Sequence, residues 1–259
     1  MAIVISDLGS GGTQRVVSQL ISYWSRHGKF IAVITFAARE TDFFVLPQSV
    51  DRYVIGGVRD SKNRLIGLLA NIKRIKKLRK KFITIRTKKI LSFLCATNIL
   101  TILAAYKLNS KIIISERNDP ARQSFGIMWD WLRQKLYRHA DMVTANTRQA
   151  IETMSRYVPE NKLQWVQNPI AELVVDNAIS FNQPTILAVG RLHHQKGYDI
   201  LLQAFSKFCQ EYPAWRLAII GDGGDLIRLE SIERLYESEK VRNTLGGCIA
   251  SSIMAGNIL

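Results

Sequence analysis

Ile186-Leu187-Ala188-Val189-Gly190-Arg191-Leu192-His193-His194-Gln195-Lys196-Gly197-Tyr198-Asp199 joins an apolar run, a short loop with two cations and the start of an amphipathic segment. The run Thr185–Val189 predicts a buried strand, and Tyr198–Glu211, apolar at helical spacing, predicts a helix. A strand that passes into a helix through so short a loop is half of a βαβ unit, in which strands lie parallel and helices cover the faces. Open sheets of this kind bind ligands at the carboxyl ends of their strands. Arg191 offers a planar fork of permanent charge and Lys196 a mobile point charge, a pair suited to a diphosphate. Gly190 and Gly197 let the backbone come close and turn sharply. The bland reading is a solvated loop with two ordinary surface cations.

The same alternation runs through the whole chain and predicts an α/β fold with a parallel sheet. Strands are expected at Ala2–Ser6, Phe30–Phe36, Asp51–Ile55, Ile90–Leu94, Lys111–Ser115, Met142–Ala145 and Leu163–Val166. Helices are expected at Gln14–Arg26, through the basic stretch around residues 68–81, and at Asn98–Leu108, Ile127–His139 and Arg148–Tyr157. Residues 170–184 lack periodicity and read as a linker. After it come the strands Thr185–Val189 and Trp215–Ile220 and the helices Tyr198–Glu211 and Asp225–Glu239. Two strands and two helices are therefore expected in the second part, followed by an uncharged, glycine-dotted tail, Asn243–Leu259. The domain expectation is 1–169, a linker at 170–184, and a partial domain at 185–259.

The 259 residues carry a net charge of +15, and it is unevenly spread. Residues 1–180 hold 28 Lys and Arg against 13 Asp and Glu, and residues 181–259 hold 8 against 8. From Lys62 to Lys111 there are 14 basic residues and no acidic one. The helix in this block also carries Leu68, Leu69, Ile72, Ile75 and Leu78 at helical spacing, so it reads as a surface for anionic lipid or as a solvated face packed on the sheet. No nucleic-acid partner is expected, because no recognised module or aromatic stacking platform accompanies the charge. Cys95, Cys209 and Cys248 have no C-x-x-C spacing and look like thiols of a reducing compartment. His27, His139, His193 and His194 form no ligand pattern, so no metal is expected. Met1 leads directly into a strand without a secretory signal, and no apolar run nears the roughly 18 residues that cross a bilayer. The expected location is the cytoplasm, including a peripheral place on the inner face of the membrane.

Three further stretches concentrate chemistry. Gly9-Ser10-Gly11-Gly12-Thr13-Gln14-Arg15 joins the first strand to the first helix, where backbone N–H groups favour an anion. A dinucleotide fingerprint fails here, since its third glycine falls on Gln14. Ser115-Glu116-Arg117-Asn118-Asp119-Pro120 puts three polar residues at a strand's carboxyl end, and an internal Glu116–Arg117 ion pair is the plain alternative to a site. Gly221-Asp222-Gly223-Gly224 follows the second strand of the second part, where Asp222 would cap the next helix. His193 and His194 read as loop filler.

Taken together, these strings resemble the retaining glycosyltransferases of family 4, which have two facing Rossmann-like domains (the GT-B fold). Ser115–Pro120, Thr41-Asp42-Phe43-Phe44 and Asn168-Pro169 are similar to the subgroup of exopolysaccharide and lipopolysaccharide assembly, including amylovoran-type transferases. The resemblance implies an acceptor-side first domain and a nucleotide-sugar-binding second domain. It implies that Arg191, Lys196, Gly11 and Gly12 hold the donor diphosphate, that Gly190, Gly197, Gly221 and Asp222 shape the donor loops, and that Glu116, Arg117 and Asn118 line the cleft as catalytic residues. The partners implied are a nucleotide diphosphate-sugar and a glycan or lipid-linked acceptor, with no cofactor. The family's E-x7-E segment has no match after Pro184; Glu152 and Glu160 have the spacing but precede the linker. The expectation is thus a truncated transferase with little activity alone. The rival reading is a non-catalytic membrane-surface or partner-binding remnant.

Overall fold

The computed structural model describes residues 1–56, 64–169, 183–242 and 252–254. The chain divides into two compact units, Met1–Glu172 and Leu173–Leu259. The expected linker, apart from residues 183 and 184, lies outside the described residues, as do Lys62, Cys248 and most of the tail.

In the first unit, seven strands form one parallel sheet. They are β1 (Ala2–Ile5), β2 (Ala32–Thr35), β3 (Asp51–Val54), β4 (Lys89–Phe93), β5 (Lys111–Glu116), β6 (Met142–Ala145) and β7 (Leu163–Trp165). Their order is β3-β2-β1-β4-β5-β6-β7. The helices are α1 (Gly12–Arg26), α2 (Arg64–Thr84), α3 (Cys95–Ala105), α4 (Ile127–Leu136) and α5 (Arg148–Ser155). The chain works outward from β1 to β3, crosses back to β4 and works outward again to β7. Right-handed crossovers then put α1 on one face and α2 to α5 on the other. The cores agree. Ile3, Ile5 and Val33 pack with Val17 and Ile21 of α1 on one side. Val4, Ile34, Ile90 and Ile114 pack with Leu78, Phe82 and Ile99 on the other. Alternate residues of a strand thus serve opposite faces, and all of β1 is buried.

Helix bounds differ from expectation by a few residues. Helix α3 begins three residues before Asn98, because the chain reverses abruptly at Leu94, whose φ of 74° is costly for a branched side chain. The expected helix to His139 ends at Leu136 and tightens into a short 3-10 turn, Tyr137–His139.

The second unit has β8 (Thr185–Val189), β9 (Arg216–Ile220) and β10 (Ser252–Met254), all parallel in the order β10-β9-β8. Two strands were expected, and the third is a correction. Ser252–Met254 pairs with Ala218–Ile220, but three residues are too few to carry a readable period. Helices α6 (Tyr198–Glu211) and α7 (Leu226–Arg242) share one core with the sheet, built on Leu192, Leu202, Phe205, Leu217, Ile219 and Leu229.

Candidate functional site

All seven strands of the first unit are parallel, so the loops that leave them share one edge. The sheet order reverses between β1 and β4, the position where such sheets bind ligands. At the end of β1, Asp7 organises the glycine-rich turn. Its Oδ1 accepts the Gly9 N–H at 3.0 Å and the Gln14 side-chain amide at 2.8 Å, and its Oδ2 accepts the Ser6 hydroxyl at 2.6 Å. Gln14, which breaks the dinucleotide pattern, thus folds back over the turn. Gly11 precedes α1 with no side-chain cap, and the first turn of α1 holds no acid. Its leading N–H groups are therefore not capped by the Gly11 position itself, and the nearest negative group is the Asp7 carboxylate held on Gln14. The neighbouring Thr41–Phe44 stretch is tied to the same turn, since the Phe43 N–H donates to the Leu8 carbonyl at 2.9 Å. Asp42 pairs with the buried Arg52 at 2.6 Å.

At the end of β5 the three expected catalytic residues part company. Ile112, Ile114 and Glu116 share the strand face that α3 and α4 cover, so Glu116, expected to line a cleft, is wholly buried at 0% exposure. Its Oε2 accepts the Tyr137 hydroxyl at 2.7 Å, and its Oε1 accepts the N–H groups of Arg117 at 3.1 Å and Asn118 at 3.3 Å. Asn98 donates to the Tyr137 oxygen at 3.2 Å and to the Ser115 carbonyl at 3.0 Å. Burial pushes the Glu116 carboxyl above its usual range, while these donors pull the other way. Burial and the Glu116 charge likewise hold Tyr137 well above a normal phenol. Cys95 is pushed up to about 12 by burial and by Glu116.

Arg117 points to the other strand face. Its Nη2 donates to Asn168 Oδ1 at 2.5 Å, and its guanidinium lies 6.0 Å from the Phe93 ring centre. The alternative Glu116–Arg117 ion pair is therefore absent. Burial lowers the Arg117 pKa. Arg117, Asn118 and Asn168 remain partly or fully accessible. Sequence reading missed Asp7, Asn98, Tyr137 and the buried Arg133, which bonds Asp130 at 3.1 Å and the Pro120 carbonyl at 3.3 Å. Asp7 carried a signal, being an acid two residues before a glycine at a strand end; the other three lie on helices or a helix end and carried none.

In the second unit, Gly190, Gly221 and Gly223 let two loops close on each other. The Gly190 N–H donates to Ile220 at 3.0 Å, Leu192 N–H to Asp222 at 2.8 Å, and Asp225 N–H to Leu192 at 3.2 Å. A Cβ on Gly221 would fall 1.9 Å from the Gly190 carbonyl oxygen, and one on Gly223 would fall 2.1 Å from that of Leu192. Leu192 is buried beneath, while Arg191 and Lys196 are exposed on either side of it. Neither cation has a side-chain partner among the described residues. A 3-10 turn, His194–Lys196, leads to Gly197, whose φ of 67° starts α6. Asp222 does not cap α7. That helix starts at Leu226, four residues on, and Asp222 acts through its backbone carbonyl. Among the described residues no three His, Cys, Asp or Glu side chains gather as a metal cage.

The family model for "Glycosyltransferase Family 4" matches residues 10–172, and that for "Glycosyl transferases group 1" matches residues 170–247. An uncharacterized glycosyltransferase of Haemophilus influenzae is 23% identical over 241 residues, 91% of this chain and 65% of its own length. The gpi3 subunit of the phosphatidylinositol N-acetylglucosaminyltransferase of Schizosaccharomyces pombe is 33% identical over 86 residues, 29% of this chain and 19% of its own. This chain thus spans less than two thirds of either relative. Among solved structures, Anabaena HepE with UDP and glucose superposes with a TM-score of 0.74 at 13% identity, covering 98% of this chain and 69% of that one. The lipopolysaccharide outer core galactosyltransferase WaaB gives 0.64 at 16% identity, covering 96% and 66%. The α/β architecture is that of GT-B glycosyltransferases.

Proposed function

The chain belongs to glycosyltransferase family 4, and from that premise we propose that it serves the transfer of a sugar, with retention at the anomeric carbon, from a nucleotide diphosphate-sugar to a glycan or lipid-linked acceptor of a cell-surface polysaccharide. The observation that carries this reading is the pair Arg191 and Lys196. Two exposed cations without side-chain partners among the described residues flank a glycine-locked loop at the carboxyl edge of a parallel sheet. A departing diphosphate gains negative charge, and fixed positive charge stabilises it. Gly190, Gly197, Gly221 and Asp222 hold that loop in shape. The N–H groups at Gly11 and Gly12 are a second position that favours an anion, on the first unit. Arg117 and Asn118 face the acceptor, and Glu116 positions them from beneath through their own N–H groups. The bond between Arg117 and Asn168 joins two of the strings that resemble the exopolysaccharide subgroup, which supports that subgroup. A peripheral place on the inner face of a membrane is part of the proposal, and no described helix is long and apolar enough to cross one.

Titration calorimetry with UDP, GDP and UDP-sugars tests the donor site, with UDP the first choice because HepE was solved with it. UDP is expected to bind. Arg191→Ala and Lys196→Ala should each weaken binding by about 10- to 100-fold, the worth of a hydrogen bond to a charged group. No heat with any nucleotide would reject the donor reading.

A further inference from the structure

The outer face of α2 lacks the partners its composition calls for. Leu78 and Phe82, near its end, are core residues. Lys77 donates to the carbonyl of Ile55 at 3.0 Å, and Arg74 lies 5.8 Å from the Phe36 ring. Ile55 and Phe36 are the residues that follow β3 and β2, so this turn of α2 stands level with the carboxyl edge of the sheet. The preceding ten residues, 64–73, rise about 15 Å at 1.5 Å per residue and run past that edge. On them Ile66, Leu69 and Ile72 are 58%, 59% and 41% exposed. Ile66, Leu69, Lys73, Lys76 and Lys80 follow one another at three- and four-residue steps along one face. The three lysines are exposed and have no side-chain partner among the described residues.

Helix α4 repeats the arrangement. A helix between parallel strands runs antiparallel to them, so α4 also begins at the carboxyl edge. Ile127, Met128 and Trp131 in its first turns are 92%, 51% and 56% exposed. Helix α3 packs against both α2 and α4, which puts the three in one layer. The apolar ends of α2 and α4 therefore stand at the same end of this layer, the end that also carries Arg117 and Asn118.

We propose that this end of the α2–α4 layer is the contact surface with an anionic bilayer, with Ile66, Leu69, Ile72 and Trp131 entering the headgroup region and Lys73, Lys76 and Lys80 binding lipid phosphates. The proposal rests on the membrane location proposed above and names its residues. Apolar side chains interleaved with lysine on an exposed helix are what an interfacial surface needs, and Lys73, Lys76 and Lys80 on a helix that carries no acid complement anionic lipid rather than a neutral one. Docked in this way, Arg117 and Asn118 stand at the end of the layer nearest the headgroups, where the polar end of a lipid-linked acceptor is presented.

The test is cosedimentation of the full chain with vesicles of phosphatidylcholine, with and without phosphatidylglycerol. Binding should need the anionic lipid. Lys73→Glu/Lys76→Glu/Lys80→Glu should weaken it about a hundredfold, and Arg26→Glu/Lys29→Glu/Arg156→Glu, the same charge change elsewhere, much less. Brominated lipid should quench the wild type more than Trp131→Phe. Equal binding by the two triple variants, or equal quenching, would overturn the surface while leaving the membrane location standing. No vesicle binding by the wild type would overturn both, and nucleotide calorimetry would still judge the donor reading separately. Loss of polyuridylate binding in the α2 variant with vesicle binding intact would assign the lysines to nucleic acid and overturn the proposal.

Discussion

Glu116 and Arg117 are adjacent in sequence and opposite in environment. The string around them marked the place, but only the strand register decides which side chain meets the helices and which meets solvent. Glu116 faces inward, and its burial raises its pKa. Between the usual carboxylate range and that raised value the native state holds more protons than the unfolded chain. Stability from this group is therefore greatest at low pH and falls as pH rises through the window. The Tyr137 hydroxyl, itself held protonated by burial, donates to the ionised carboxylate and limits the fall. Tyr137→Phe removes the donor at nearly constant volume. It should cost about 1–3 kcal/mol at pH 8 and distinctly less at pH 4. Urea midpoints at the two pH values measure this, and an equal loss at both would mean that packing, not the hydrogen bond, is what Tyr137 supplies.

At the scale of elements, most of the fold was legible. Apolar runs of period two and amphipathic runs of period 3.6 placed every strand of the larger sheet and every helix to within a few residues. What escaped was held by tertiary partners. Ser252–Met254 becomes a strand only because β9 offers an edge, and Asp222 was read as a cap although the expected helix began only at Asp225. The two loops of the second unit show how much the motif reading left out. Gly190 and Gly197 were read as letting the backbone come close and turn, but Gly221 and Gly223 carried no such reading, and both are required because a backbone carbonyl occupies the space of a side chain. Gly221→Ala and Gly223→Ala should each destabilise the second unit by about 2–3 kcal/mol, since the obstacle is backbone and cannot swing aside. Gly224→Ala, with nothing within 4 Å of its Cβ, should change stability by less than about 0.5 kcal/mol. Chemical denaturation of the three variants separates the cases. Equal effects would mean that the loops do not close as described.

For the whole molecule, charge and core are divided unequally. Residues 1–180 carry +15 and the remainder none. The first unit packs both faces of a seven-stranded sheet, α1 against one and α2 to α5 against the other. In the second unit one cluster joins α6 and α7 to the sheet, and on β8 the alternate residues Leu187 and Val189 remain 48% and 54% exposed. Among the described residues less apolar area is buried there, so the second unit should be the less stable of the two. Scanning calorimetry is then expected to resolve two transitions that respond to different additions. UDP at a hundredfold excess over its Kd should raise the lower one, by the equivalent of about 2.7 kcal/mol, because the proposed diphosphate cations lie in that unit. Added salt should raise the upper one by screening the self-repulsion of the basic unit, and should leave the neutral unit nearly unmoved. If UDP instead raised only the upper transition, the nucleotide would be bound by the glycine-rich turn of the first unit, and the roles given to Arg191 and Lys196 would fall.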